Sequence, residues 1–303
     1  MASGPLRHVV VAGGSGLVGR HLVAALCGMG ARVTVLSRSP STFSLPAGAE
    51  ARGWEELPGV LDGADAVINL CGAGIADRRW TAARKQALLD SRVAPTERLV
   101  RAMGATGPRV LVNAGAVGIY GAMDARPVDE GRAPGEGFLP QVCRQWEAAA
   151  EAASASGVRV VRLRLGVVLA RDGGALPRMA LPVRLFLGTR LGQGRQGLSW
   201  IHVDDLVRLI LEAAANPACR GPVNATAPRP VSNETFTRTL AQRLRRPLLP
   251  VPAWATRSGI SLLLGEMGVA LLLEGAFVRP RQAERLGFAF QFQRVEDALA
   301  DLL

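Results

Sequence analysis

His8-Val9-Val10-Val11-Ala12-Gly13-Gly14-Ser15-Gly16-Leu17-Val18-Gly19 is the stretch that decides how this chain folds. Three consecutive valines suit a strand buried on both faces, because β-branched side chains sit well on a pleated surface. The glycines after them permit a tight turn, and a helical pattern begins at Leu17. A strand, a glycine turn and a helix N-terminus in that order make a seat for a pyrophosphate. Glycine lets the backbone approach the anion, and the free N–H groups and the helix dipole meet its charge. Gly13, Gly14, Ser15, Gly16, Leu17 and Val18 are therefore the first predicted cofactor-binding residues.

The rhythm of the first two thirds agrees with that opening. Apolar, β-branched runs at 8–12, 32–36, 66–70, 109–113 and 159–163 alternate with helical patterns at 17–29, 80–89, 94–103 and 141–156. Continuous apolar strands separated by helices indicate a parallel sheet covered on both faces, the doubly wound α/β (Rossmann-like) class. Right-handed crossovers then put every strand's C-terminal end along one edge, where ligands bind. From Gly166 onward, glycine and proline break the chain into shorter pieces. A Rossmann domain over 7–165 is expected, with 195–226 returning to it and a smaller mixed α+β lobe over 166–303.

The end of the second strand speaks to the cofactor. A site for NAD(H) places an acid about twenty residues beyond the glycine turn to hold the ribose hydroxyls. Here Val35-Leu36 runs into Ser37-Arg38 with no acid. Arginine offers a planar, permanently charged fork for a 2′-phosphate, so NADP(H) is the expected cofactor. The third and fourth strand ends, Asn69-Leu70-Cys71-Gly72-Ala73 and Asn113-Ala114-Gly115-Ala116, carry small residues against which a ribose can lie. Cys71 reads there as a small wall residue.

Composition narrows the alternatives. Of the 303 residues, 49% are apolar and 20% charged, which suits a well-packed globule. The formal net charge is +11, but arginine outnumbers lysine 35 to one and is scattered, so nucleic acid is not an expected partner. A small anionic molecule fits the surplus better. Cys27, Cys71, Cys143 and Cys219 lie far apart without metal-ligand spacing, so no metal is expected. The most apolar stretch, 260–277, contains Glu266 and Glu274 and is too short to span a bilayer, so no membrane is expected. Residues 1–7 show no apolar leader core. A cytoplasmic monomer or homodimer is the expectation.

Four local sequences carry a closer resemblance: Arg78-Arg79-Trp80 with Ser91-Arg92, Cys143-Arg144-Gln145-Trp146-Glu147, Gly166-Val167-Val168-Leu169, and Trp200-Ile201-His202-Val203-Asp204-Asp205-Leu206. With the spacing Gly13-x-x-Gly16-x-x-Gly19, the whole chain resembles the extended short-chain dehydrogenase/reductases, the group of nucleotide-sugar epimerases and dehydratases. Within it the chain resembles an atypical, SulA-like branch of epimerase family proteins with a short C-terminal domain of its own, here about 248–296. The resemblance implies that Ser37, Arg38, Leu70, Cys71, Arg92 and Val168 join the glycine loop around NADP(H). It implies an oxidoreductase or epimerase-like activity on an unidentified small carbonyl or sugar-like substrate. A non-catalytic NADP(H)-binding sensor or regulator is the alternative.

One departure bears on the chemistry. Typical relatives carry a Ser or Thr at the end of the fourth strand and a Tyr-x-x-x-Lys on the next helix. Gly115 stands near the first position, and the helix reads Val142-Cys143-Arg144-Gln145-Trp146-Glu147. Tyr120 and Lys85 are the single tyrosine and lysine, in the wrong order. Without a nearby cation a phenol near pKa ~10 is a poor base at neutral pH. Tyr120, Cys143 and Glu147 are left as catalytic candidates. Cys143 and Glu147 share a helix face at i, i+4, either exchanging protons with a substrate or belonging to a helix that packs Trp146 inward while Glu147 takes a local arginine. Asp204 or Asp205 can cap the helix that follows, with His202 as part of the same structural element or of a His–Asp pair. Arg164, Arg178 and Arg184 read equally as contacts for an anionic substrate and as surface residues.

Overall fold

The computed structural model describes residues 6–40, 44–103 and 107–303. Residues 1–5, which bear on the leader expectation, lie outside them. The strands of the main sheet are β1 (His8–Ala12), β2 (Arg32–Ser37), β3 (Ala49–Gly53), β4 (Ala66–Asn69), β5 (Val110–Ala116) and β6 (Arg159–Leu165). They are followed by β7 (Val167–Ala170), β8 (Gly173–Gly174), β9 (Gly197–Leu198), β10 (Trp200–His202), β11 (Gly221–Ala225) and β12 (Val231–Ser232). Among the described residues, seven strands form one parallel sheet in the order β11-β6-β5-β4-β1-β2-β3. The order reverses at β1, which pairs with β2 on one side and β4 on the other. That switch point is where an open α/β sheet forms its ligand crevice.

Alternation along the strands sorts the core into two layers. Val9 and Val11 pack with Val33, Val35 and Ile68 against Leu22 and Leu26 of α1 (Leu17–Gly28). Val10 and Ala12 pack on the opposite face with Val67 and Leu111 against Leu57 and Leu61 of α2 (Leu57–Leu61). Leu99 of α3 (Ala82–Ala102) joins that second layer, as does Ala150 of α4 (Phe138–Glu151). Both faces are covered, which is why the strands read as unbroken apolar runs.

Two helices predicted at 80–89 and 94–103 are one. Pro95 lies inside α3 and removes a donor that a helix interior normally uses. The helix continues because Leu88, Thr96 and Leu99, on both sides of the proline, are buried against the body. Tertiary packing outweighs the local preference.

The C-terminal half adds α5 (Ala175–Arg184), α6 (Val203–Ala215), α7 (Asn233–Leu244), α8 (Ala253–Gly268), α9 (Arg281–Arg285) and α10 (Val295–Leu302). Small sheets β10-β7-β8 and β12-β9 accompany them. Trp200, Leu176, Phe236, Leu240 and Leu299 form a core of their own there. The aromatic run 288–292 is not a strand. Asp205, wholly buried, accepts the N–H groups of Gln291 and Phe292 at 2.9 Å each and fixes that segment as an irregular strap. The cap of α6 is likewise neither aspartate: His202 Nδ1 accepts the N–H of Asp204 at 3.1 Å, while its Nε2 lies 3.2 Å from Asp301 on α10. His202 therefore ties the C-terminus to the body.

Candidate dinucleotide site and the buried charge network beside it

The glycine turn lies at the switch point. Gly13 has φ +82°, and a Cβ there would come within 2.8 Å of the Leu70 carbonyl carbon, so only glycine fits both the turn and the contact with β4. A Cβ on Gly19 would collide with the Gly13 carbonyl oxygen, so Gly19 lets α1 rise directly off the turn. Gly16 is the N-cap residue of α1 and no side chain caps it. The helix therefore presents its first N–H groups, beside exposed Ser15 and Gly16, along the sheet's C-terminal edge.

Other predicted contacts gather around this turn. Leu17 packs on the β7–β8 hairpin, since a Cβ on Gly174 would lie 2.7 Å from Leu17 Cδ2 and 3.7 Å from the Val168 carbonyl oxygen. Arg38 is exposed just beyond β2. Burial pushes the Cys71 thiol up to about 12, against the pull of the Arg38 guanidinium nearby. Cys71 is thus protonated at neutral pH, as a wall residue should be. Arg92 on α3 reaches over from the other side: its Nη2 donates to the Ala73 carbonyl at 3.1 Å, and a Cβ on Gly72 would lie 3.2 Å from its Cζ. Arg84, about two turns earlier on α3, donates to the Gly74 carbonyl at 2.5 Å, while its buried Nε has no partner among the described residues. Burial, with the like charge of Arg84, draws the Arg92 guanidinium below its ordinary value.

The residue types fit a dinucleotide. An uncapped helix N-terminus suits a pyrophosphate, the glycine backbone allows close approach, and Arg38 supplies a cation where an acid would oppose a 2′-phosphate.

The catalytic candidates sit deeper. Tyr120, in a short 3-10 turn after β5, is 1% exposed. Its hydroxyl donates to Asn224 Oδ1 at 2.7 Å and accepts from Arg164 Nη1 at 2.9 Å. Arg164 also donates from Nε to Glu147 Oε1 at 2.7 Å and from Nη2 to Oε2 at 2.9 Å. Burial alone would draw Arg164 down, but Glu147 and Tyr120 reverse this and hold it above its ordinary value. Burial raises the Tyr120 phenol. Cys143 is 4% exposed, and burial together with the Glu147 carboxylate pushes its thiol up to about 12.

Those placements correct two expectations. The Tyr120 phenol already donates its proton to Asn224, and both Glu147 carboxylate oxygens accept from Arg164. The partners of Glu147 are not local arginines but Arg164, 17 residues along the chain on β6, and more weakly Arg162 at 3.5 Å on the same strand. Arg164 in turn is not a surface residue, being 5% exposed. Trp146 does pack inward, donating to Thr96 Oγ1 at 3.1 Å. Arg178 pairs with Asp77 at 3.0 Å, and Arg184 is exposed. Lys85 is held by Glu266 at 2.6 Å and lies over the Phe138 ring, 5.1 Å from its centroid. Sequence reasoning missed Asn224, which closes the network from β11; no local pattern marks it.

Fold and edge together define a dinucleotide-binding protein of the short-chain dehydrogenase/reductase type. The family model for NAD dependent epimerase/dehydratase matches residues 9–225, and that of a domain of unknown function, DUF1731, matches residues 251–302. An epimerase family protein of Mycobacterium bovis is 43% identical over 297 residues, covering 96% of each chain. The chloroplastic epimerase family protein SDR39U1 homolog of Arabidopsis thaliana is 40% identical over 309 residues, covering 97% of this chain and 86% of that protein. The crystal structure of human epimerase family protein SDR39U1 with NADPH superposes with a TM-score of 0.85 at 31% identity, covering 97% of this chain and 98% of that one. The chain belongs to the NAD-dependent epimerase/dehydratase family.

Proposed function

We propose that this protein binds NADP(H) and works as an oxidoreductase or epimerase-like protein on a small carbonyl or sugar-like substrate. One observation carries the cofactor choice: β2 ends in Ser37 and an exposed Arg38, with no acid where a ribose-binding carboxylate would stand. The human relative solved with NADPH supports the same choice. The turn 13–19 and the N-terminus of α1 would hold the pyrophosphate, and Ser37 and Arg38 the 2′-phosphate. Leu70, Cys71, Gly72, Val168 and Arg92 would line the rest.

When bound, the nicotinamide would supply hydride-transfer chemistry, which belongs to the cofactor. The chain's own part is to bind, orient and exclude water. Tyr120 and Glu147 are spent on Arg164 and Asn224, and the Cys143 thiol keeps its proton at neutral pH. Proton transfer would therefore run through water or a group of the substrate. Arg84 and Arg92, two cations without a carboxylate partner among the described residues, favour a substrate that carries negative charge.

The second reading, a non-catalytic NADP(H) sensor, is favoured by that same internal pairing of Tyr120 and Glu147. Incubating the protein with NADPH and a panel of aldehydes, ketones and nucleotide sugars separates the two. Loss of NADPH absorbance with any of them supports the enzyme. Tight NADPH binding with no turnover across the panel supports the sensor.

A further inference from the structure

The C-terminal half exposes an apolar face that neither reading uses, although the far end of α8 reaches α3 through the Glu266–Lys85 pair. Leu185, Phe186 and Leu187, just past α5, are 53–60% exposed, and Trp254, Leu262 and Leu263 on α8 are 71–79% exposed. The two segments are joined. The Leu249 N–H donates to the Gly188 carbonyl at 2.8 Å, the Arg246 guanidinium lies 4.5 Å over the Phe186 ring, and the Gly192 N–H donates to Thr256 Oγ1 at 2.9 Å. Only 11% of the most apolar window within Ala253–Leu273 is buried, so α8 is not a core helix of this chain.

Charge says what the face would meet. No aspartate or glutamate occurs in residues 173–203 or 235–265. Arg184, Arg245, Arg246 and Arg257 are exposed there, and none has a carboxylate within ion-pair distance among the described residues. The bordering Glu234 is taken by Arg190 and Arg238, and Glu266 by Lys85. Large apolar side chains interleaved with uncompensated arginines suit an anionic lipid surface: rings and leucines enter the acyl boundary while guanidinium groups reach phosphates. A second copy of this chain fits less well, because an isologous contact would bring the arginines of both copies together with no carboxylate of the two segments to meet them. Lying on the surface suits the backbone better than spanning: Gly265, with φ 61° and ψ −147°, breaks the helix near the C-terminal end of α8, and hydrocarbon offers nothing to the backbone groups so freed.

We infer that the face formed by the end of α5 and the outer side of α8 docks the protein on an anionic lipid surface. The expectation of no membrane rested on the inability of 260–277 to cross a bilayer, and lying on the surface asks less of it. The test is cosedimentation of the full chain with vesicles of phosphatidylcholine alone or mixed equally with phosphatidylglycerol. Pelleting is expected with the anionic vesicles, weaker by at least about tenfold with the neutral ones, and reduced by raised salt. Leu262→Ser with Leu263→Ser, both on solvent, should keep the thermal transition and lose at least about tenfold in vesicle binding. Arg245→Gln with Arg246→Gln should weaken anionic binding and leave neutral binding as it is. No pelleting with anionic vesicles, or equal pelleting by the leucine variant, overturns the inference. So does a dimer in solution that this variant converts to monomer, since the face is then a contact between copies.

Discussion

Arg164 forks onto Glu147, with Nε 2.7 Å from Oε1 and Nη2 2.9 Å from Oε2, and the remaining Nη1 reaches the Tyr120 hydroxyl at 2.9 Å. The pair joins α4 to β6 inside the protein. Removing one partner strands a buried charge, which costs about 3–5 kcal/mol. Glu147→Ala and Arg164→Ala should each lower unfolding stability by about that amount in urea titrations, and the double variant should cost clearly less than the sum. Additive losses would show that the two side chains do not act on one another.

Tyr120→Phe removes a phenol that gives one hydrogen bond and receives another. The expected loss is about 1–3 kcal/mol in stability, since Asn224 and Arg164 each keep other partners. NADPH affinity should stay within about twofold, below the ~1.4 kcal/mol of a tenfold change, in a fluorescence titration. A tenfold fall would return Tyr120 to the ligand.

Much of this fold is legible in the sequence because buried parallel strands advertise themselves. β1, β2, β4, β5 and β6 are apolar runs, and the glycine turn after β1 can seat only a tight approach. The missed strands of the main sheet lack that signal. β3, Ala49-Glu50-Ala51-Arg52-Gly53, is an edge strand whose Glu50 bonds Arg32 and Arg52, so charge replaces the apolar pattern. β11, Gly221-Pro222-Val223-Asn224-Ala225, opens with residues that read as a loop. The cofactor edge is legible because its contacts follow strand ends. The charge network is not, because Tyr120, Glu147, Arg164 and Asn224 come from four separate elements and no spacing links them.

The thiols offer a pH test. Cys71 and Cys143 are both pushed up to about 12 by burial, so each stays protonated well above neutrality. Against a free cysteine near pKa ~8.5, their thiolate fraction at pH 8 is lower by about a thousandfold. Iodoacetamide should therefore label half-buried Cys27 first, with Cys71 and Cys143 reacting only as pH climbs toward strongly alkaline values. Mass spectrometry of peptides containing each cysteine reads this directly, and rapid labelling of Cys143 at pH 8 would mark it as an activated nucleophile.

Asp205 should control the C-terminal strap. Asp205→Ala leaves the N–H groups of Gln291 and Phe292 without their acceptor and Arg208 without its 3.0 Å partner. A loss of about 3 kcal/mol is expected, with hydrogen exchange at Gln291 and Phe292 speeding up first. Exchange that stays slow at those two amides would show that aromatic packing alone holds the strap.

The most direct measurement is calorimetric titration of the protein and of Arg38→Ala with NADPH and NADH. The protein is expected to bind NADPH at least about tenfold more tightly than NADH. Arg38→Ala should remove most of that difference by weakening NADPH, a loss of about 1.5–3 kcal/mol for a charge-assisted contact. Equal affinity for the two nucleotides, unchanged by Arg38→Ala, would refute a 2′-phosphate seat at Arg38.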